Sequence, residues 1–152
     1  MKEFDLVIIG GGPAGITAAT EAARMGASVA LIEENQNLGG KVFAPTGSTI
    51  KGSAADEIEK SIGSRILKDF ERVRKNISVF LNTEVWGFVD QNTVLLYPQA
   101  DADKTENCIK GNKLIISVGA FEKAIPFPGW TLPGVFSVGG LNTLVKKGIL
   151  PG

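Results

Sequence analysis

Apolar residues recur along this chain in three rhythms, and each rhythm predicts a different element. Near-continuous apolar runs mark strands buried on both faces. One run covers about Phe4 to Ile9, a second covers about Ser28 to Ile32, and a third centres on Leu114-Ile115-Ile116. Between the first two lies an Ala-rich segment, Pro13 to Met25, that reads as a helix. Pro13 falls in its first turn, where a missing N–H costs little, and Gly26 falls where a glycine C-cap belongs. A Gly- and Pro-containing loop runs from Glu34 to Ser53.

The second rhythm has spacings of four and three. Ile58, Ile62, Ile66, Phe70 and Val73 form one apolar stripe on a helix predicted from Ala54 to Lys75. Acidic residues (Asp56, Glu57, Glu59) crowd its start and basic residues (Lys68, Arg72, Arg74, Lys75) its end, as the helix dipole favours. Gly63 is a weak point within it. The third rhythm is short and strand-like: about Ile77–Leu81, Glu84–Val89, Thr93–Tyr97, Glu106–Lys110 and Lys113–Val118. Asp90-Gln91-Asn92 and Gly111-Asn112 read as hairpin turns. The expected fold is therefore α/β: a Rossmann-like three-layer domain. It has a parallel sheet, helices, and an antiparallel β-meander inserted at about 83–112. A Gly/Pro-rich tail follows from 119 to 152, with a short helix expected near Leu141–Lys147.

Candidate chemistry sits where the first strand meets the first helix. Gly10-Gly11-Gly12-Pro13-Ala14-Gly15 has the GxGxxG spacing between a strand and a helix. Gly10 permits the tight turn, Gly12 lets backbone approach a pyrophosphate, and Gly15 lets helix and sheet pack closely. The helix N-terminus then meets the phosphates with free N–H groups and its positive dipole end. Glu33 ends the second strand, where a carboxylate accepts hydrogen bonds from adenosine ribose hydroxyls; the neighbouring Glu34 is the alternative. Either charge repels a 2′-phosphate. The bland reading of the loop is a structural turn, and the small Ala19, Gly26 and the acid at the right distance weigh against it. Gly39-Gly40, followed by Lys41 as a phosphate candidate, points to FAD rather than NAD.

Composition narrows the picture. The 152 residues carry 16 Lys+Arg against 16 Asp+Glu, so no bulk field draws in nucleic acid or an anionic membrane. There is no histidine, which removes the commonest general base and metal ligand. One cysteine, Cys108, excludes an internal disulfide, a CxxC pair and an iron–sulfur cluster bound by this chain alone. No signal-like or membrane-spanning run is evident, and a cytoplasmic location is the default expectation.

The pattern Gly10-x-Gly12-x-x-Gly15, Ala19, Gly26, Glu33 and Gly39-Gly40 resembles the FAD-binding half of the two-dinucleotide-domain flavoproteins, the pyridine nucleotide-disulfide oxidoreductase group. Ser117-Val118-Gly119 resembles that group's Ala-Thr-Gly motif, with Ser and Val substituted. Thr83-Glu84-Val85 resembles the stretch whose backbone meets the adenine, which implies a role for Val85. The tail, Val118–Lys123 and Pro126–Val135, resembles the alpha subunits of opine oxidase, hydrogen cyanide synthase, dye-linked proline dehydrogenase and sarcosine oxidase. The resemblance implies an FAD-binding component of an amine or amino-acid dehydrogenase or oxidase, with C–N bond oxidation by the flavin. It also implies a partner polypeptide that completes the flavin or substrate site. The second GxGxxG and the later Gly-Asp motif of that group are missing, so a single FAD-binding domain over 1–152 is expected. A non-catalytic FAD- or ADP-binding assembly module, and a half-site inactive without its other half, are the alternatives; homo-oligomerisation stays open.

Other features read as structural. Cys108 is a small thiol in a meander strand, without a histidine to activate it. Asp101-x-Asp103-x-x-Glu106 lacks the length and glycine of a calcium loop and reads as a solvated hairpin tip. Trp86 and Trp130 read as core, with stacking on flavin or on a partner as the alternative, and Lys123 and Lys146-Lys147 read as solvated. Pro126–Pro133 is either a surface crossing or a docking strap.

Overall fold

The computed structural model describes residues 1–43, 54–146 and 149. Pro45, Gly47 and Gly52 of the expected loop, and Lys147, lie outside them. The side chains of 54–60 and 146 are likewise not described, Ile58, Asp56, Glu57 and Glu59 included.

The elements run β1 (Lys2–Ile9), α1 (Pro13–Arg24), β2 (Val29–Ile32), α2 (Ala54–Val73), β3 (Ile77–Phe80), β4 (Thr83–Phe88), β5 (Thr93–Pro98), β6 (Cys108–Ile116) and α3 (Val138–Lys146). A 3₁₀ turn, Arg74–Asn76, replaces the last predicted turn of α2. The six strands form one mixed sheet in the order β3-β2-β1-β6-β5-β4. β3, β2, β1 and β6 are mutually parallel, with Ile8 beside Leu31 and Ile115, and Leu31 beside Val79. β5 and β4 run antiparallel.

Two apolar layers hold this sheet. On one side Ile8, Leu31 and Val79 pack against Ile16, Ala19 and Ala23 of α1 and Phe70 of α2. Small side chains on α1 let the helix lie close to the strands. On the other side Phe4, Val7, Ala30, Ile32 and Phe80 pack with Val94, Leu96, Ile109 and Val85. The β4–β5 arm thus packs on this apolar layer while β5 stays paired with β6 over Thr93–Leu95. The three layers expected from sequence are present.

Three local expectations are corrected. No turn forms at Gly111-Asn112; Cys108–Ile116 is one strand, paired with β5 at its start and with β1 along its length. Gly111 is instead a close approach, since a Cβ there would lie 2.7 Å from Val7 Cγ2. The α2 stripe turns away at its start. Ile62 is exposed, while Phe43 of the preceding loop covers Gly63, where a Cβ would lie 2.6 Å from its ring. Ile66, Leu67, Phe70 and Val73 carry the packing. Finally, neither tryptophan is core: Trp86 and Trp130 are both exposed, Trp86 at the irregularity between Val85 and Gly87.

Turn chemistry follows the predicted signals elsewhere. Gly26 has φ +86°, and Gly26 and Ala27 N–H groups bond the carbonyls of Ala23 and Ala22, a Schellman end to α1. Asp90 Oδ1 accepts the N–H groups of Asn92 and Thr93 at 2.7 Å, closing the β4–β5 hairpin. In the tail, Pro128-Gly129 and Pro133-Gly134 make successive type II-like turns. Each has φ near +90° at glycine and an N–H reaching back three residues, Trp130 to Phe127 and Val135 to Leu132.

Candidate functional site

The crevice beyond the C-terminal ends of β1 and β6 is the switch point of the parallel part of the sheet, where β2 leaves on one side of β1 and β6 on the other. Gly10, at the end of β1, has φ +102°, and its N–H bonds Ile32 O at 2.8 Å. A Cβ on Gly10 would lie 2.5 Å from Ser117 O, and one on Gly15 only 1.9 Å from Gly10 O. A Cβ on Gly12 would meet nothing within 4 Å. The three glycines therefore divide their work: Gly10 and Gly15 are packed shut, and Gly12 faces open space at the start of α1. Gly12 is also the N-cap of α1, with no side chain capping it and no acidic residue in the first turn. The first-turn N–H groups of Ala14 and Gly15 lack intrahelical acceptors and are open to an anion, and Pro13 has no N–H to leave unpaired.

Glu33 is buried and locks this loop. Its Oε2 accepts the Gly11 N–H at 2.7 Å, and its Oε1 accepts the Asn35 N–H at 2.9 Å and the Asn35 side-chain amide at 2.6 Å. Three of roughly four carboxylate lone-pair sites are thus engaged, which leaves about one for a further donor. Glu34 next to it is exposed and carries none of these bonds. Asn35 is a site residue that the motif spacing does not single out. Its signal is an amide two residues after the acid, in reach of an Asx-type bond.

The glycine pair closes the other side. Gly39 N–H bonds Gly11 O at 2.8 Å, and Gly40, with φ +59°, brings its would-be Cβ to 3.1 Å from Gly12 Cα. Gly39-Gly40 backbone therefore abuts the phosphate loop directly. Ser117 ties in β6: its N–H bonds Ile9 O at 2.7 Å and its hydroxyl lies within hydrogen-bond reach of the Ile9 and Gly10 carbonyls, at 3.0 and 2.9 Å. Thr83 N–H bonds Glu33 O at 3.0 Å, so the start of β4, with half-buried Val85, sits beside the acid. Lys41 does not lie free at the helix N-terminus. Its Nζ donates to Ala120 O at 3.1 Å and stands 3.9 Å over the Phe121 ring. Val118 is exposed, and Gly119 turns the chain with φ +72°.

The tail begins with a second tie. Glu122 accepts the N–H groups of Gly139 and Gly140, at 2.8 and 3.1 Å, and the Ser137 hydroxyl, and so caps α3. These bonds, the Ser137 hydroxyl foremost and then the Gly139 N–H, hold its carboxyl below the ordinary glutamate value of 4.5. A depressed folded value means that the cap is complete at neutral pH and lost as pH falls through that lowered value. Acidification should therefore lower the protection of the Gly139 and Gly140 amides, taken against their intrinsic exchange rates at each pH, while core amides such as Leu31 keep theirs, which a pH series of hydrogen exchange reads directly.

The remaining candidates lie elsewhere in the fold. Cys108 is a free, half-buried thiol. Asp101 accepts from the Gln36 side chain, and Glu106 pairs with Lys2. No cluster of three metal-ligating side chains occurs among the described residues. Nor is any described helix long and apolar enough to cross a membrane.

Comparison with known proteins agrees with this geometry. The chain is 37% identical over 147 residues to hydrogen cyanide synthase subunit HcnB of Pseudomonas protegens, covering 95% of this chain and 30% of that protein. It is 34% identical to an opine oxidase subunit of Rhizobium meliloti, covering 100% of this chain and 32% of the relative. Among solved structures it is similar to L-proline dehydrogenase from P. horikoshii, with a TM-score of 0.73 and 26% identity over 99% of this chain and 30% of that one. The chain thus spans about a third of the length of these relatives. The open loop at Gly12, flanked by packed glycines and by Gly39-Gly40, fits the pyrophosphate of a dinucleotide, and the family and neighbours indicate FAD. The pyridine nucleotide-disulphide oxidoreductase model matches residues 4–146, nearly the whole chain and all of this crevice, and the chain belongs to that family.

Proposed function

We propose that this chain is the FAD-binding component of an amine or amino-acid dehydrogenase or oxidase, acting with another polypeptide that completes the flavin or substrate site. The observation that carries the reading is the open Gly12 backbone at the N-terminus of α1, ringed by Gly10, Gly15, Glu33 and Gly39-Gly40. The similarity to opine oxidase, hydrogen cyanide synthase and proline dehydrogenase sequences supports the substrate class, carbon–nitrogen bonds at or beside an amino acid.

FAD, when bound, supplies the hydride acceptor. The chain's own residues do the holding. First-turn N–H groups of α1, at Ala14 and Gly15, receive the pyrophosphate, with Gly12 giving it room. Glu33 presents its remaining acceptor site to the adenosine ribose, and backbone near Val85 borders the adenine. Gly39, Gly40 and the Ser117-Val118-Gly119 turn frame the path towards the flavin ring. With no histidine in the chain, we assign no acid–base residue here and place the substrate groups on the partner.

The test is a visible absorption spectrum of the purified chain after gel filtration, with FAD added beforehand. Flavin bands travelling with the protein are the expected result. A colourless protein at saturating FAD, with native secondary structure intact, would overturn the reading that this chain holds FAD by itself.

A further inference from the structure

Only Leu81 and Asn82 separate β3 from β4, yet these two strands stand at opposite edges of the six-stranded sheet. The link must therefore turn sharply, and Asn82 makes the turn. Its φ of +49° is the one positive value at a non-glycine position among the described residues. Asparagine enters that left-handed region more readily than most residues, but still at a cost that the surrounding contacts must hold.

Those contacts join three segments of chain. The Asn82 N–H donates to Asn35 O at 3.2 Å, its carbonyl accepts the Gln99 N–H at 2.8 Å, and its side-chain amide donates to Asp101 O at 3.3 Å. Asn35 is the residue whose N–H and side chain hold the Glu33 carboxylate. The Glu33 backbone is gripped from both sides of the link: its N–H donates to Phe80 O at 2.9 Å and its carbonyl accepts the Thr83 N–H at 3.0 Å. Asp101 also accepts the Gln36 side-chain amide at 3.0 Å. The acid of the crevice and the start of β4 are thus tied into one unit, with Asn82 at its corner. β4 is also the outermost strand on its side, so alternate backbone groups along it bond no other strand.

We propose that Asn82 is a positioning residue that sets the base selectivity of the nucleotide site. It fixes the backbone of β4 around Val85 relative to Glu33, so that this backbone selects adenine over a 6-oxopurine while the acid takes the ribose. The inference rests on the proposed FAD-binding role. Adenine presents an acceptor at N1 and a donor at N6. Hypoxanthine presents the reverse, a donor at N1 and an acceptor at O6. Backbone groups held at one distance from the ribose cannot serve both, and the base that leaves them unpaired is rejected. A backbone free to shift loses that discrimination.

The experiment titrates ADP and inosine 5′-diphosphate by calorimetry into the unsubstituted chain, Asn82→Ala and Asn82→Gly. The two nucleotides share ribose and phosphates and differ in the base alone. The unsubstituted chain should prefer ADP at least about tenfold. Alanine tolerates this φ less well than asparagine, so Asn82→Ala should weaken ADP at least about fivefold and leave inosine diphosphate nearly unchanged. Asn82→Gly accepts the φ and should restore the preference. Amide exchange of the unsubstituted chain gives the same answer if the alanine variant does not fold: saturating ADP should slow the Asn82 and Thr83 amides more than saturating inosine diphosphate does. Equal weakening of both nucleotides in Asn82→Ala, an unsubstituted chain that binds both alike, or equal exchange protection would each overturn the proposal and leave FAD binding standing. Binding of neither nucleotide would overturn it too, and flavin absorbance after gel filtration then says separately whether the FAD reading falls with it.

Discussion

Gly15→Ala should lower the stability of the fold by about 3 kcal/mol, and Gly12→Ala should leave it nearly unchanged while weakening FAD binding at least about tenfold. The two substitutions add the same methyl group three residues apart in one loop. At Gly15 that methyl would lie 1.9 Å from Gly10 O and 2.8 Å from Ser117 Oγ. Neither neighbour gives way easily. Gly10 O belongs to backbone at φ +102°, and Ser117 is bonded to Ile9 and Gly10. Helix α1 must then lift from the sheet, at the upper end of the cost of overpacking. For a chain of this size that is a loss of roughly 6–12 °C in Tm. At Gly12 the added methyl meets no protein atom. It instead enters the space that a pyrophosphate would fill, so the loss falls on affinity, at least about tenfold or 1.4 kcal/mol. Thermal unfolding with and without FAD separates the two. If Gly12→Ala binds FAD as tightly as the parent, the phosphates do not sit at the start of α1.

The loop was legible in the sequence because each of its constraints acts on backbone. Glycine is demanded where φ is positive or where a Cβ has no room, and that demand shows in the residue type itself. β1, α1 and β2 were legible for a related reason: they are buried on one or both faces, and burial writes a period into the chain. The misread places are those where tertiary contact overrode a local signal. Gly111-Asn112 carries a strong turn signal, yet it continues a strand because the glycine is needed to pass Val7. Ile62 fits the helical stripe, yet Phe43 from the preceding loop takes the space over Gly63. Asn35 and the Lys41–Phe121 contact depend on side chains meeting across loops, which no spacing rule encodes.

Glu33→Gln should cost both stability and affinity, and the division between them tells what the acid is for. The carboxylate is buried and accepts three N–H donors, one from Gly11 and two from Asn35. A glutamine offers one oxygen and one amide nitrogen in the same place. Turned one way, its nitrogen faces the Gly11 N–H; turned the other, it faces both Asn35 donors. Either way a buried donor loses its acceptor and meets another donor, at a cost of about 2–3 kcal/mol. Asn35→Ala removes only the side-chain donor and leaves the backbone bond, for about 1 kcal/mol. The double variant should lose less than the two single losses together, because the missing amide no longer opposes the glutamine nitrogen. Chemical denaturation of the four proteins without FAD measures this coupling, and titration with FAD measures the ribose contribution. Loss of FAD affinity in Glu33→Gln with unchanged denaturation would mean that Glu33 serves the ligand alone. Loss of stability with unchanged affinity would mean that it serves only to hold Gly11. We expect both losses, because one oxygen of the carboxylate anchors the phosphate loop while about one acceptor site is left for a ribose donor.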